Sequence, residues 1–367
     1  MKQAVQDLFA LADIKIDGSR PWDIQVHNPK FYARLLSQGS LGLGESYMDG
    51  WWDCKSLDQF FCKLLEAELD KKVVTWKDMG SVILAKLVNL QSASRAYEVG
   101  RRHYDLGNNL YKLMLDKRMV YSCGYWKDAN TLDQAQEAKL DLICKKISLR
   151  PGMKILDIGC GWGSFAKYAA EKYKVKVVGI TISKEQAKFA KEVCKGLPVD
   201  IRIQDYRSIH EKFDRIVSVG MFEHVGVKNY RTFMGVVYKC LDKKGLFLLH
   251  TIGSDLSQAT ADPWILKYIF PNGMIPSIKQ VAKSVEGLFV MEDWHNFGQY
   301  YDNTTMAWFK NFDKYWPKLK KAYGERFYRM WKYYLLLGAG DFRARKNQLW
   351  QIVFSKEGVK GGYESIR

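Results

Sequence analysis

Leu156-Asp157-Ile158-Gly159-Cys160-Gly161-Trp162-Gly163 is the stretch whose reading decides the fold. It completes a short apolar run, Ile155-Leu156-Asp157-Ile158, of strand length. Ser164 to Lys172 follows with a helical pattern. A strand that ends in glycines and opens a helix starts a βαβ unit. Working outward, Val175 to Ile180 predicts a second strand, Ser183 to Cys194 a helix, and Val199 to Ile203 a third strand. Phe213 to Val219 and Gly245 to Thr251 predict two more. This alternation predicts an α/β fold with a Rossmann-like, doubly wound parallel sheet.

Ligands of such sheets bind at the strands' C-terminal edge, where the glycine loop falls. Its spacing is G-x-G-x-G, not the dinucleotide G-x-G-x-x-G, so pyrophosphate binding is less favoured. Asp157, just before the loop, suits a ligand that carries a cationic group. The pattern resembles the S-adenosylmethionine (SAM) loop of class I methyltransferases, which implies a cofactor role for Asp157, Gly159, Gly161 and Gly163. In that fold the ends of strands two and three hold ribose and adenine. Here strand two ends in Thr181 rather than an acid. Thr181 and Gln186 are expected to supply neutral hydrogen bonds instead, with Asp205 accepting from the adenine amino group. As isolated residues, a Thr, a Gln and an Asp serve more often as caps or turns.

Around this core the reading is coarser. Residues 1–88 mix short helical patterns with Gly-rich turns such as Ser40 to Tyr47, and Leu57 to Leu69 has helical apolar spacing. This predicts a small, mainly helical N-terminal domain. Asn89 to Arg95 is polar and small, which places a linker at 89–98 and a catalytic domain at 99–367. Beyond Asp255 the chain is aromatic-rich. It is expected to form a helical cover and to return to the sheet at Leu349 to Phe354.

Charge is distributed unevenly over the 367 residues. Lys and Arg number 57 against 40 Asp and Glu, a formal net of +17. Residues 1–95 hold 12 of each sign, whereas 303–367 hold 14 basic and 5 acidic residues. Such a balance implies an anionic partner. An aromatic content of 14% excludes a disordered basic tail. The seven cysteines form no Cys-x-x-Cys and no Cys/His metal spacing, so they read as reduced cytosolic thiols, with no metal site. Asp7 and Asp13 flank a short apolar stretch, which does not suit a signal peptide. No apolar run reaches the roughly 18 residues needed to span a bilayer, so membrane contact is expected to be peripheral.

Further motifs narrow the family. They are His103-Tyr104-Asp105-Leu106-Gly107-Asn108, Tyr121-Ser122-Cys123-Gly124-Tyr125-Trp126, Gly220-Met221-Phe222-Glu223-His224-Val225-Gly226 and His250-Thr251-Ile252-Gly253-Ser254. Trp264-Ile265-Leu266-Lys267-Tyr268-Ile269-Phe270-Pro271 and Glu292-Asp293-Trp294-His295 complete the set. With the glycine loop they resemble the bacterial cyclopropane-fatty-acyl-phospholipid synthases over nearly the whole chain. The mycolic acid cyclopropane synthases share part of the pattern.

The resemblance implies an enzyme that transfers the SAM methyl to a cis double bond of a phospholipid acyl chain. A carbocation forms, the added methyl loses a proton and the ring closes. It implies a bound bicarbonate ion as the base, held by Glu223 and His250 and completed by the Tyr301 hydroxyl. Cys123 and Ile252 match positions that contribute through the backbone, and Tyr121 and Ser122 match a loop over SAM. A carboxylate accepts from the bicarbonate hydroxyl, while imidazole, phenol and backbone N–H groups donate to its oxygens. Each residue has a plainer reading. Glu223 suits a helix cap, His250 a core histidine, and Tyr301 a core or rim position. The Trp264, Tyr268 and Phe270 cluster suits ordinary packing. No base triad accompanies Cys123, so it is not read as a nucleophile.

The expected partners are a bilayer of unsaturated phospholipid and a second copy of the chain. The expected location is the cytoplasm, peripherally at the inner face of the membrane. Simple lipid methylation, giving a methyl-branched or methylene product, is the alternative outcome. A nucleic-acid methyltransferase lacks support, since no helix-turn-helix, zinc finger or recognition repeat is present. A non-catalytic membrane-binding protein would not need Glu223, His250 and Tyr301 together.

Overall fold

The computed structural model describes residues 1–69, 107–258 and 260–367. The expected linker at 89–98 and residues 103–106 of the first family motif lie outside them. By packing, the described chain forms two compact units that are not contiguous in sequence. Residues 1–69, 260–271 and 301–347 form the first, and residues 107–258, 272–300 and 348–367 the second.

In the first unit, strands β1 (Ile24–Val26) and β2 (Trp52–Cys54) pair antiparallel. The helix Lys30–Met48 lies between them in sequence and is kinked at Gly39. The stretch from Ser40, expected as a Gly-rich turn, is therefore helical. Its glycines serve close packing rather than turning. A Cβ at Gly44 would lie 2.4 Å from Trp264 Cδ1. Trp264 is fully buried against Tyr333, with ring centroids 4.4 Å apart, so the packing reading of this cluster holds for it. The helix Leu57–Glu66 carries the expected apolar stripe through Leu57, Phe60 and Phe61. Its partner is Glu325–Arg343, where Gly340 lets the Asp58 carbonyl and Phe61 approach. Thus the long helices Gln299–Tyr323 and Glu325–Arg343, expected as a cover, cluster from residue 301 onward with the N-terminal segment.

The second unit holds a seven-stranded sheet. Its strands are β3 (Lys154–Ile158), β4 (Lys176–Thr181), β5 (Val199–Ile203), β6 (Phe213–Val219), β7 (Leu241–Ser254), β8 (Val290–Asn296) and β9 (Asn347–Ser355). The order is β5-β4-β3-β6-β7-β9-β8. Pairings from β5 through β7 are parallel, while β8 pairs antiparallel to β9. Side chains alternate between two cores. Leu156 and Ile158 join Phe233, Met234 and Val237 of the helix Tyr230–Cys240. Ile155 joins Ile143 of Leu132–Lys146 and Ala166 of Ser164–Tyr173. Helices therefore cover both faces of the sheet, as a buried parallel sheet requires. The expected return at 349–354 is β9. Strand β8 was not expected, because its exposed Val290 and Met291 and its charged centre break the apolar pattern. All seven cysteines lie among the described residues, are buried and take part in no disulfide.

Candidate active site

β3 ends at Ile158, and the chain turns at once into the helix Ser164–Tyr173. Gly159 and Gly161 make that turn with φ of +82° and +53°, a region glycine enters without steric cost. At Gly159 the backbone also runs close to its neighbour, since a Cβ there would lie 2.7 Å from Met221 Cβ. The loop is pinned by β4. Ile180 O accepts the Gly159 N–H at 3.0 Å and the Cys160 N–H at 2.9 Å.

A cavity lies at this edge of the sheet. Tyr121, Ser122, Asp157, Gly159, Gly161, Thr181, Gln186 and Asp205 are brought together in its lining. Gly163 is not in the lining. It sits at the N-cap of the following helix, with its backbone against Ala190 and Cys194. Thr181 Oγ1 donates to Gln186 Oε1 at 3.0 Å and accepts the Ser183 N–H at 3.2 Å, so this polar pair is already oriented. Asp205 accepts the Arg207 N–H at 2.9 Å and Arg207 Nη1 at 2.8 Å. It is therefore a cap, and an adenine amino group would have to share its carboxylate with Arg207.

Asp157 is nearly fully buried. Burial pushes its carboxyl up to about 7, and the Lys139 ammonium offsets part of that rise. Its Oδ2 has no hydrogen-bond partner among the described residues. An unpartnered buried carboxylate oxygen beside two side-chain-free glycines fits a ligand that has a cationic group and approaches the backbone closely.

Two cavity neighbours were missed from sequence. Gln136 Nε2 donates to Ser122 O at 2.8 Å, and Lys139 Nζ donates to Ser122 Oγ at 2.7 Å. The available signal was periodicity. Leu132, Lys139 and Lys146 recur every seven residues on a helix whose Leu140 and Ile143 are in the core. That places two lysines at inward-facing positions.

A second polar group sits where β6 and β7 end. Glu223 Oε1 accepts the Ile252 N–H at 2.7 Å, and its main-chain carbonyl accepts the Met274 N–H at 2.8 Å. Burial pushes the Glu223 carboxyl up to about 7, which the Ile252 N–H partly offsets. His250 lies opposite Val219 in the β6–β7 register, and its carbonyl accepts the Gly220 N–H at 2.9 Å. Burial holds its imidazole neutral, well below the usual histidine range, and Lys139 and Lys146 act in the same direction. Gln351 Nε2 donates to His250 Nδ1 at 3.3 Å, which leaves the ring proton on Nε2. Neither Glu223 Oε2 nor His250 Nε2 has a partner among the described residues, although both are buried. Each side chain thus keeps one buried polar atom uncommitted among the described residues, a carboxyl oxygen on Glu223 and a neutral ring N–H on His250.

The Ile252 N–H, expected to face such an anion, is instead committed to Glu223. The Ile252 carbonyl accepts from the Thr251 hydroxyl at 3.0 Å. Cys123 is fully buried, and its thiol donates to Gly124 O at 3.2 Å. Tyr301 belongs to the first unit, where its ring packs against Phe342 at 4.5 Å and Trp308 at 6.0 Å.

A glycine loop leaving β3 of a doubly wound sheet, with a cavity at the strands' C-terminal edge, is the arrangement of a SAM-dependent methyltransferase fold. Solved structures agree. The chain aligns with the cyclopropane synthase MmaA2 from Mycobacterium tuberculosis at 31% identity and a TM-score of 0.67, covering 71% of this chain and 98% of that one. The mycolic acid cyclopropane synthase CmaA1, solved with SAH and CTAB, aligns at 32% identity with the same TM-score and coverage. The mycolic acid cyclopropane synthetase family model matches residues 91–352, and the chain belongs to that family. The cyclopropane-fatty-acyl-phospholipid synthase of Escherichia coli strain K12 is 57% identical over 362 residues, covering 98% of this chain and 94% of the relative.

Proposed function

We propose that the chain converts cis double bonds of phospholipid acyl chains to cyclopropanes, using SAM as the donor and bicarbonate as the proton acceptor. Within the chain, the Glu223–His250 pair carries this reading. Each side chain has one anchored atom, while Oε2 and Nε2 are buried without a partner among the described residues. Similarity to the Escherichia coli synthase over nearly the full length supports the lipid substrate.

SAM supplies an electrophilic methyl group, and bicarbonate supplies a base that works away from bulk water. The residues of the chain position and shield. Asp157 and the glycine loop hold the donor, with Tyr121, Ser122, Thr181, Gln186 and Asp205 around it. Glu223 and His250 hold the base through a carboxyl oxygen and a neutral N–H. Cys123 and Ile252 shape the backbone of that cage, Ile252 by fixing Glu223, and the Tyr301 hydroxyl keeps only the role that the family resemblance implies for it. A base serves only within hydrogen-bond reach of the departing proton, so this cage sets where the ring closes.

The remaining assignments belong to the same proposal. The protein works as a dimer in the cytoplasm, peripherally on the inner leaflet, and the N-terminal segment contributes lipid docking or the dimer contact. No helix among the described residues is long and apolar enough to cross a membrane. Within the basic segment 303–367, Arg326 pairs with Asp49 and Arg329 with Asp53 and the Trp52 carbonyl. Lys314, Lys318, Lys320 and Lys321 stay exposed for anionic lipid.

The test is to incubate the protein with liposomes of unsaturated phospholipid and SAM carrying a CD3 methyl. Cyclopropanation yields acyl chains that gain CD2. Retention of all three deuteriums would mean a methyl-branched product, a CD2 gain that leaves an alkene would mean a methylene product, and absence of any lipid product would reject every one of these outcomes.

A further inference from the structure

Lys139 is almost fully buried in the middle of the helix Leu132–Lys146, and it lines the donor cavity. An ammonium group has three protons to donate. Here one goes to Ser122 Oγ at 2.7 Å, and no carboxylate among the described residues lies within ion-pair distance. A buried charge of this kind is strongly unfavourable unless something pairs with it. Asp157 lines the same cavity, is also buried and keeps Oδ2 without a partner among the described residues. A cation and an anion thus face one cavity without pairing to each other. Such a lining complements a zwitterion.

Ser122 extends the cationic side. Gln136 Nε2 holds its carbonyl at 2.8 Å, and Lys139 holds its hydroxyl oxygen. Because that oxygen accepts from Lys139, the hydroxyl's own proton is available to a ligand. Lys139 and Ser122 therefore present two adjacent donors, one of them charged, which is a carboxylate-binding arrangement.

We propose that Lys139, together with the Ser122 hydroxyl it holds, binds the α-carboxylate of the donor's aminoacyl end, with Asp157 facing the α-ammonium. The inference rests on the SAM reading of this cavity. It adds a selectivity. The protein favours adenosyl sulfur compounds that keep the carboxylate over those that have lost it.

Titration calorimetry on the full chain tests this with S-adenosylhomocysteine and its decarboxylated analogue. The wild type should bind the first at least about tenfold more tightly. Lys139→Met should lose about that factor for S-adenosylhomocysteine and change by less than about threefold for the analogue, so the preference collapses. Lys139→Arg, which retains charge and length, should keep most of the preference and covers the case in which the methionine variant does not fold. Ser122→Ala should also keep most of it. Equal wild-type binding of the two compounds would overturn the proposal, as would an equal loss for both in Lys139→Met. Loss of preference in Lys139→Arg, or complete loss in Ser122→Ala, would do the same. A wild type that binds neither compound would reject the SAM reading itself, a distinct result with which this inference also falls.

Discussion

The Glu223 carboxyl is tied to the backbone of Ile252, whose N–H reaches Oε1 at 2.7 Å. The bond spans the ends of two neighbouring strands. It turns one carboxyl oxygen into an anchor and leaves the other buried, with no partner among the described residues. Replacing Glu223 by Gln keeps an acceptor for Ile252 but removes the charge. Turnover should fall at least about a hundredfold, the usual scale for removing a group that handles a proton. Affinity for S-adenosylhomocysteine should stay within a few-fold. Steady-state kinetics and calorimetry check the two halves. Lost cofactor affinity would assign Glu223 to the donor cavity instead.

The same substitution has a pH signature in stability. Burial raises the Glu223 carboxyl from 4.5 to about 7. The folded state then holds the proton more tightly than the unfolded state, so stability falls as pH rises through that window. Below about 4.5 both states are protonated and the penalty is absent, and above about 7 it is complete. Glu223→Gln should therefore gain stability relative to wild type across pH 4.5 to 7, by up to about 3 kcal/mol. Denaturant unfolding at several pH values measures the difference. A constant offset would mean that the carboxyl does not titrate there.

Gly159 and Gly161 both have positive φ but different surroundings. A methyl at Gly159 meets Met221 at 2.7 Å, whereas one at Gly161 meets nothing within 4 Å. Gly159→Ala should cost about 2 kcal/mol or more, combining strain and overlap. Gly161→Ala should cost about 1 kcal/mol while reducing cofactor affinity, because Gly161 lines the cavity. Thermal melts and S-adenosylhomocysteine binding separate the two effects.

Gly44→Ala sets helix propensity against packing. Propensity alone favours Ala in a helix by about 1 kcal/mol. Trp264, 2.4 Å from the would-be Cβ, opposes it. The expected outcome is net destabilisation of about 1–3 kcal/mol by overpacking. A higher melting temperature would show that Trp264 moves aside freely.

Membrane attraction should follow the exposed lysines. Replacing Lys318, Lys320 and Lys321 together by Glu should weaken sedimentation with anionic vesicles. Each basic residue near such a surface contributes about 1 kcal/mol. The wild-type advantage should shrink at high salt, where screening shortens the reach of charge. Equal binding at low salt would remove this segment from the lipid contact.

Much was legible from sequence because it is local. The short, near-continuous apolar runs Ile155 to Ile158 and Val177 to Ile180 specify buried parallel strands. The glycines after Ile158 specify a sharp turn at the sheet's binding edge. Eight of the nine residues assigned to the donor met in one cavity because most lie at or just beyond strand ends, where the fold itself gathers them. Gly163 stayed out because its place is decided by Ala190 and Cys194 on a different helix.

What the sequence determined by itself was the sheet, its loop and the chemistry carried by motif residues. Tertiary structure alone decided the rest, since contacts between distant segments leave no periodic trace. Only packing shows that residues 301–347 cluster with the N-terminal segment, and that the glycines beyond Ser40 admit Trp264 instead of making a turn. Only packing turns Arg329 inward to Asp53. It commits the Ile252 N–H to Glu223, and it leaves the buried Lys139 facing the donor cavity with Ser122 as its one hydrogen-bond partner among the described residues. The seven-residue spacing can place such a lysine inward, but only the fold removes the water from around it and decides what its charge must pair with.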